Sequence, residues 1–188
     1  MAKDTEKVSL GSGTLYLNNV DVGHLKGDVE FSYVRGKVDF KPSNMLGKVK
    51  RFIITEEATL KASLAELKML NIKLAMGVTT DIGASQSFPS YAQNIDSFAP
   101  PSGASYDVLT FGGSKAVDEM TLRFEHTRPN GLQVIIVLYK VSSLSEFTLP
   151  FHEEDISLHD VTFEALSDAN RSAGDRMGVV VEQVQAAA

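Results

Sequence analysis

The sequence predicts a mainly β domain: a two-sheet β-sandwich or barrel with one flanking α-helix and a long projecting β-hairpin. Three observations carry that expectation. Short runs of alternating apolar residues, bounded by Gly, Asn and Pro, recur along the chain. Only one stretch has helical spacing. Two β-prone runs, 28–41 and 48–62, are each about 14 residues long against a usual ~5–6. At ~3.3 Å per residue such an arm reaches ~45 Å, more than one small domain needs for its own core, so part of it is expected to project.

The 188 residues fit one domain, divided into an N-terminal arm (1–12), the long hairpin (28–62), a helix (63–76), a long loop (78–105) and a C-terminal tail (169–188). Thr14 to Leu17 reads as a short strand, and Asn18-Asn19 as a tight turn, because asparagine tolerates positive φ. Gly11-Ser12-Gly13 precedes a strand, not a helix, so it reads as a strand-entry turn and not a phosphate loop.

In the first arm Val29, Phe31 and Tyr33 share one face, while Val38 and Phe40 fall on the other. A one-residue phase change flips every later side chain, so a β-bulge is expected near Val34–Gly36. In the second arm Phe52, Ile54, Ala58, Leu60 and Ala62 lie on one side, which makes Leu60→Asp a change expected to block assembly. The segment between the arms, Pro42-Ser43-Asn44-Met45-Leu46-Gly47, has turn chemistry.

Ser63-Leu64-Ala65-Glu66 is a capping-box sequence. Leu64, Leu67, Leu70 and Leu74 follow at helical spacing, and Gly77 suits the stop. Further strands are expected at Val108–Phe111, around Met120, Leu122 and Phe124, and over Leu132–Val141, a run typical of a strand buried on both faces. Phe147, Leu149 and Phe151 alternate, and a second bulge is expected between Ile156 and Val161. Gly178 to Val184 reads as an added strand.

Composition narrows the chemistry. The chain is 43% hydrophobic and 22% charged, which argues against wholesale disorder. With no cysteine, disulfides, thiolate metal sites and cysteine nucleophiles drop out. No pair among His24, His126, His152 and His159 has zinc-ligand spacing of the His-Glu-x-x-His type. His152-Glu153-Glu154-Asp155 reads as a solvated acidic loop. No Gly-x-Ser-x-Gly elbow and no Walker loop occur. No catalytic residue, metal or cofactor is therefore expected. Acidic residues outnumber basic ones 24 to 18, which disfavours gripping nucleic acid. The basic cluster Lys41, Lys48, Lys50 and Arg51 lacks the interleaved aromatics of a stacking platform. The charged N-terminus reads as cytosolic, without a signal peptide.

A long two-stranded projection leaves strand edges that invite other chains. Closing copies into a ring removes those edges. The polar stripe Glu57, Thr59, Lys61 and Ser63, opposite an apolar one, is what a strand facing a water-filled lumen would carry.

The stretch from Gly11 to Gly77, with its Gly-bounded short strand, VDVGHLKGDVEF opening a long strand, TEEATLKASLAEL and a Leu-rich helix, resembles the N-terminal half of phage major tail tube proteins. ISLHDVTFEALSD (156–168) resembles their closing strand. The resemblance implies rings of six subunits whose hairpins join an inner β-barrel, stacked into the tail tube through which DNA is ejected. It implies synthesis in the bacterial cytoplasm and residence in the virion tail. Its partners would be copies of itself, a tape-measure protein, tail terminator and tip proteins, and DNA in passage.

By that analogy Pro42–Gly47 and both termini are candidates for ring-to-ring contact. Asp28, Glu30, Ser32, Glu57, Thr59 and Lys61 are candidates for the lumen, where like charge keeps phosphate from binding. A secreted tube protein of the type VI secretion kind would share the fold. A monomeric β-sandwich binding module is the remaining reading, and the chain lacks the tryptophans that such a surface favours.

Overall fold

The computed structural model describes residues 13–44, 46–66, 68–78, 105–109, 118–144 and 159–184. Their strands form one open antiparallel sheet with β2 (Val20–Asp21) at one end, then β1 (Thr14–Leu17), β5 (Met120–Thr127), β6 (Gln133–Ser143), β7 (His159–Ala165), β4 (Lys50–Leu64) and β3 (Glu30–Phe40). β8 (Gly178–Glu182) also pairs with β6. The chain is thus mainly β, with one short helix, α1 (Met69–Ala75), and a long β3–β4 hairpin. Among the described residues there is neither a second sheet nor a closed barrel. The strands expected at 147–151 and the bulge expected before Val161 lie outside these residues, as do 79–104 and the acidic loop. Val108 and Leu109 are not in a strand.

Local chemistry explains most of the turns. Asn18 and Asn19 both adopt positive φ, 47° and 64°, so the two-residue β1–β2 connection has the backbone hand that matches strand twist. The Asn18 side chain also accepts from the Thr121 amide, tying the turn to β5. Gly131, at φ 80°, closes the β5–β6 turn. α1 ends in a Schellman arrangement: Gly77 N–H donates to the Leu74 carbonyl, and Val78 N–H to that of Lys73.

The helix start differs from expectation. Ser63 and Leu64 end β4, opposite Asp160 and His159 of β7, and α1 begins only at Met69. Ser63 spends its hydroxyl on the Asp160 carboxylate instead of capping a helix, and Glu66 accepts from the His24 amide and pairs with Lys68. Long-range strand pairing has outbid a local capping pattern. Lys68 stands at the helix start with no side-chain cap.

One face of the sheet, the inner face, holds the core: Leu15, Leu17, Leu60, Leu64, Leu74, Met120, Leu122, Leu138, Val141 and Phe163 are fully or almost fully buried. Alternation puts most of the strand residues there, as in β7, where His159, Val161, Phe163 and Ala165 point in; an irregularity in the β5–β6 ladder lets both Leu138 and Val141 point in, and Leu74 is supplied by α1. β6 is not buried on both faces. Ile136, Leu138 and Val141 point into the core, while Ile135 and Val137 are only half-buried on the outer face.

β7 and β8 lie along one line beside β6. Leu166 N–H donates to the Lys140 carbonyl, Tyr139 N–H to that of Met177, and Gly178 then pairs with Leu138. The ten residues 167–176 are an excursion from that line. Arg171 stacks on the Tyr139 ring at 3.4 Å from its centroid, and Tyr139 Oη and Arg171 both hold Asp175. Gly178 sits so close to β6 that a Cβ there would strike the Val137 carbonyl. Gly178→Val is therefore expected to cost about 1–3 kcal/mol through overpacking against rigid backbone. Urea denaturation, with hydrogen exchange at 134–138 as the local readout, checks this; unchanged protection there would contradict the close approach.

Candidate self-assembly surface

The β3–β4 ladder runs from Glu30 opposite Lys61 to Phe40 opposite Lys50. Directly opposed residues share a face. Glu30–Lys61, Ser32–Thr59 and Val34–Glu57 therefore lie together on the outer face, and Phe31–Leu60 and Tyr33–Ala58 on the inner. The pairing thus brings five of the six lumen candidates, Glu30, Ser32, Glu57, Thr59 and Lys61, into one patch; Asp28 precedes β3 and is exposed. Sequence reasoning missed that β7 continues it. Asp160, Thr162 and Glu164 pair with Ser63, Lys61 and Thr59, which adds two carboxylates to the same face.

The expected bulge is present but in the other strand. Gly36 pairs with Thr55 and Lys37 with Ile53, so Ile54 of β4 is the extra residue and β3 runs without interruption. Gly36 is needed here, since a Cβ would collide with the Thr55 hydroxyl. Beyond this point Val38 pairs with Phe52 and Phe40 with Lys50 on the outer face. Phe52 therefore does not share a face with Ala58, Leu60 and Ala62, as strict alternation along β4 had implied.

Both strands invert together. β3 changes which of its positions are apolar, β4 inserts a residue, and Val38, Phe40 and Phe52 fall on the outer face at the same level, while Ile53, opposite Lys37, stays on the inner one. The inner face becomes largely polar over the same stretch. Arg35, Tyr33 and Glu56 interlock at 2.8–3.3 Å. Further out Arg51 Nε donates to Asp39 at 2.7 Å, and Lys48 pairs with the same carboxylate.

The Arg51 hydrogen bond first, then that of Lys48, holds the Asp39 carboxyl well below the usual carboxylate range. Its folded pKa being depressed, its contribution to tip order is complete above the ordinary aspartate value of about 3.9 and fades only as pH falls below it. Backbone NMR shifts of Asp39 and Arg51 are expected to stay constant from neutral pH down to about 4. A midpoint above that value would show that the pairing does not hold in solution.

Among the described residues nothing covers the outer half of the hairpin. Every residue of β4 from Lys50 to Glu57 is exposed, and the apolar ones strongly so: Phe52 48%, Ile53 50% and Ile54 62%. Tyr33, Val34, Val38 and Phe40 of β3 are exposed too. At the turn, Leu46 is fully exposed, Ser43, Asn44 and Gly47 are exposed and Pro42 is half-buried; Met45 lies outside the described residues. β7 pairs with β4 only from Thr59 to Leu64, so among the described residues the β4 edge from Lys50 to Ala58 carries no second strand. The outer edge of β8 is in the same condition. Between them opens a cleft of about 790 Å³, lined by Tyr33, Ile53, Ile54 and Ala58 on one side and Leu138, Met177 and Val180 on the other.

Among the described residues no group of three or more His, Asp or Glu is placed to hold a metal ion. No known protein family matches the chain, and no curated protein does.

Proposed function

We propose that the chain is a structural subunit that self-assembles through its β3–β4 hairpin into rings, and by stacking into a tube of the phage tail type. One observation carries the reading. Among the described residues the distal hairpin presents exposed apolar side chains on both faces and an unpaired strand edge, a combination that water penalises and that sister copies would remove together. A continuous sheet running from copy to copy would supply the barrel that a single open sheet lacks. Head-to-tail contacts whose rotation closes give such a ring.

The resemblance of 11–77 and 156–168 to major tail tube proteins supports the same reading. Within it, Glu30, Ser32, Glu57, Thr59 and Lys61, now with Asp160 and Glu164, are the luminal surface. Their excess of carboxylates would let DNA pass without a salt-sensitive brake. Pro42 to Gly47 are the ring-to-ring contacts. The partners are other copies, a tape-measure protein, and terminator and tip proteins, in the virion tail. We assign the chain no catalytic role and no cofactor.

Negative-stain microscopy and sedimentation of the full chain over a range of concentrations test the proposal. Annuli or tubes are expected. A monomer at every concentration, with no tail defect when the gene is deleted, overturns it.

A further inference from the structure

The two inverted strands leave Val38, Phe40 and Phe52 on the outer face, pointing away from the subunit's own core. On their own hairpin Lys50 reaches over one of them, its Nζ 5.0 Å from the Phe52 ring centroid, and among the described residues no apolar side chain covers the three. The same stretch is strongly basic: Arg35 to Arg51 holds six basic residues against one acidic. The rest of the chain is left with twelve basic against twenty-three acidic. A second copy is therefore an electrostatically attractive partner for the tip, and the tip of one copy is a repulsive partner for the tip of another.

Elsewhere on the outer face a second apolar patch lacks cover among the described residues. Val179 pairs with Val137 and Val181 with Ile135, so the four side chains stand together, with the two β8 valines 40% and 47% exposed. Around this patch the carboxylates are paired, Glu182 with Arg128, Asp175 with Arg171 and Glu125 with Arg123, so the face is close to neutral. One chain thus bears an apolar patch in a basic setting and an apolar patch in a charge-balanced setting. Two basic tips repel each other, whereas the balanced patch offers a basic tip apolar contact without repulsion.

We propose that the Val38–Phe40–Phe52 face of one copy seats on the Val179–Val181 face of β6 and β8 in a second copy. The contact is heterologous, so it sets a polarity: hairpin end onto β8 end, repeated from copy to copy. It leaves the acidic patch of β3, β4 and β7 free. Three strand steps separate β6 from β3, and a twist of roughly 20–25° per step turns the two regions of the outer face toward different directions. The inference rests on the self-assembly reading and adds which surfaces meet.

The absence of cysteine makes a direct test available. Phe40→Cys and Val181→Cys are made as separate variants of the full chain, mixed, allowed to assemble and mildly oxidised. A disulfide forms only where Cβ atoms approach to about 3.5–4.5 Å, so it reports contact and not mere proximity. The expected product is a dimer joining one copy of each variant, identified by mass spectrometry, with neither variant cross-linking when alone.

Lys50→Cys, which leaves the apolar triad intact, replaces Phe40→Cys if that variant does not assemble. Annuli or tubes that form without a link from 40 or 50 to 181, or with 40–40 links predominating, overturn this contact and leave self-assembly standing. A wild-type chain that stays monomeric removes both.

Discussion

Leu60→Asp is expected to unfold the subunit, not merely to stop it assembling. Leu60 is completely buried, lies opposite Phe31 on β3 and Phe163 on β7, and sits at the centre of the core cluster. Emptying such a site costs about 2–5 kcal/mol by cavity formation alone. A carboxylate placed there adds a desolvation penalty of several kcal/mol or takes up a proton. A total near or above roughly 5 kcal/mol equals the whole stability of many domains. Circular dichroism should show loss of the cooperative melt, and expression should move to the insoluble fraction. A variant with a native melt and no assembly would mean that Leu60 faces a neighbour instead of its own core. The sequence alone pointed to a block in assembly, because it showed Leu60 on a packed side without showing whose packing that was.

That distinction marks the boundary of what the chain makes legible. Alternation within a strand is a local property, so the faces of β1, β5 and β7 follow from their residues directly. The two polar sets on 28–32 and 57–61 could be chosen from alternation too, and the observed register brings Glu30, Ser32, Glu57, Thr59 and Lys61 onto one face. A bulge is different in kind. It is a mismatch in count between two strands, and only the pairing shows that Ile54 is the extra residue while β3 is regular. Reading the phase change as a defect in β3 kept Phe52 with Leu60, whereas the ladder separates them.

The capping box failed for a related reason. Ser-x-x-Glu is a pattern four residues long, and its competitor, Asp160, lies 97 residues away on β7. A signal for the second failure did exist, since the alternation of Ala58, Leu60 and Ala62 continues to Leu64 without a break. The join of β7 to β8 along β6, and the cleft it leaves beside β4, have no local signature at all. They depend on where a ten-residue excursion returns.

Phe40→Ser combined with Phe52→Ser is expected to do the opposite of Leu60→Asp: assembly falls and the fold survives. The two rings are 54% and 48% exposed, on the outer face of a hairpin half against which no other strand or helix packs among the described residues. Substitutions at such positions usually shift stability by less than about 0.5 kcal/mol, so the melting curve should superimpose on that of the parent. Association is another matter. Fully burying a phenylalanine is worth about 1.5–3 kcal/mol, and each ring here has about half of that still to gain from a neighbour. The pair together then contributes roughly 2 kcal/mol to each contact, or about thirtyfold in its dissociation constant. Each copy in a ring makes that contact with the next, so the loss compounds and the threshold concentration for annuli should rise far beyond thirtyfold. Sedimentation velocity across a dilution series measures the threshold. Assembly at the parental concentration, with the melt unchanged, would mean that the outer face of the hairpin meets only water in the particle, and the reason both strands change sides would have to be sought elsewhere.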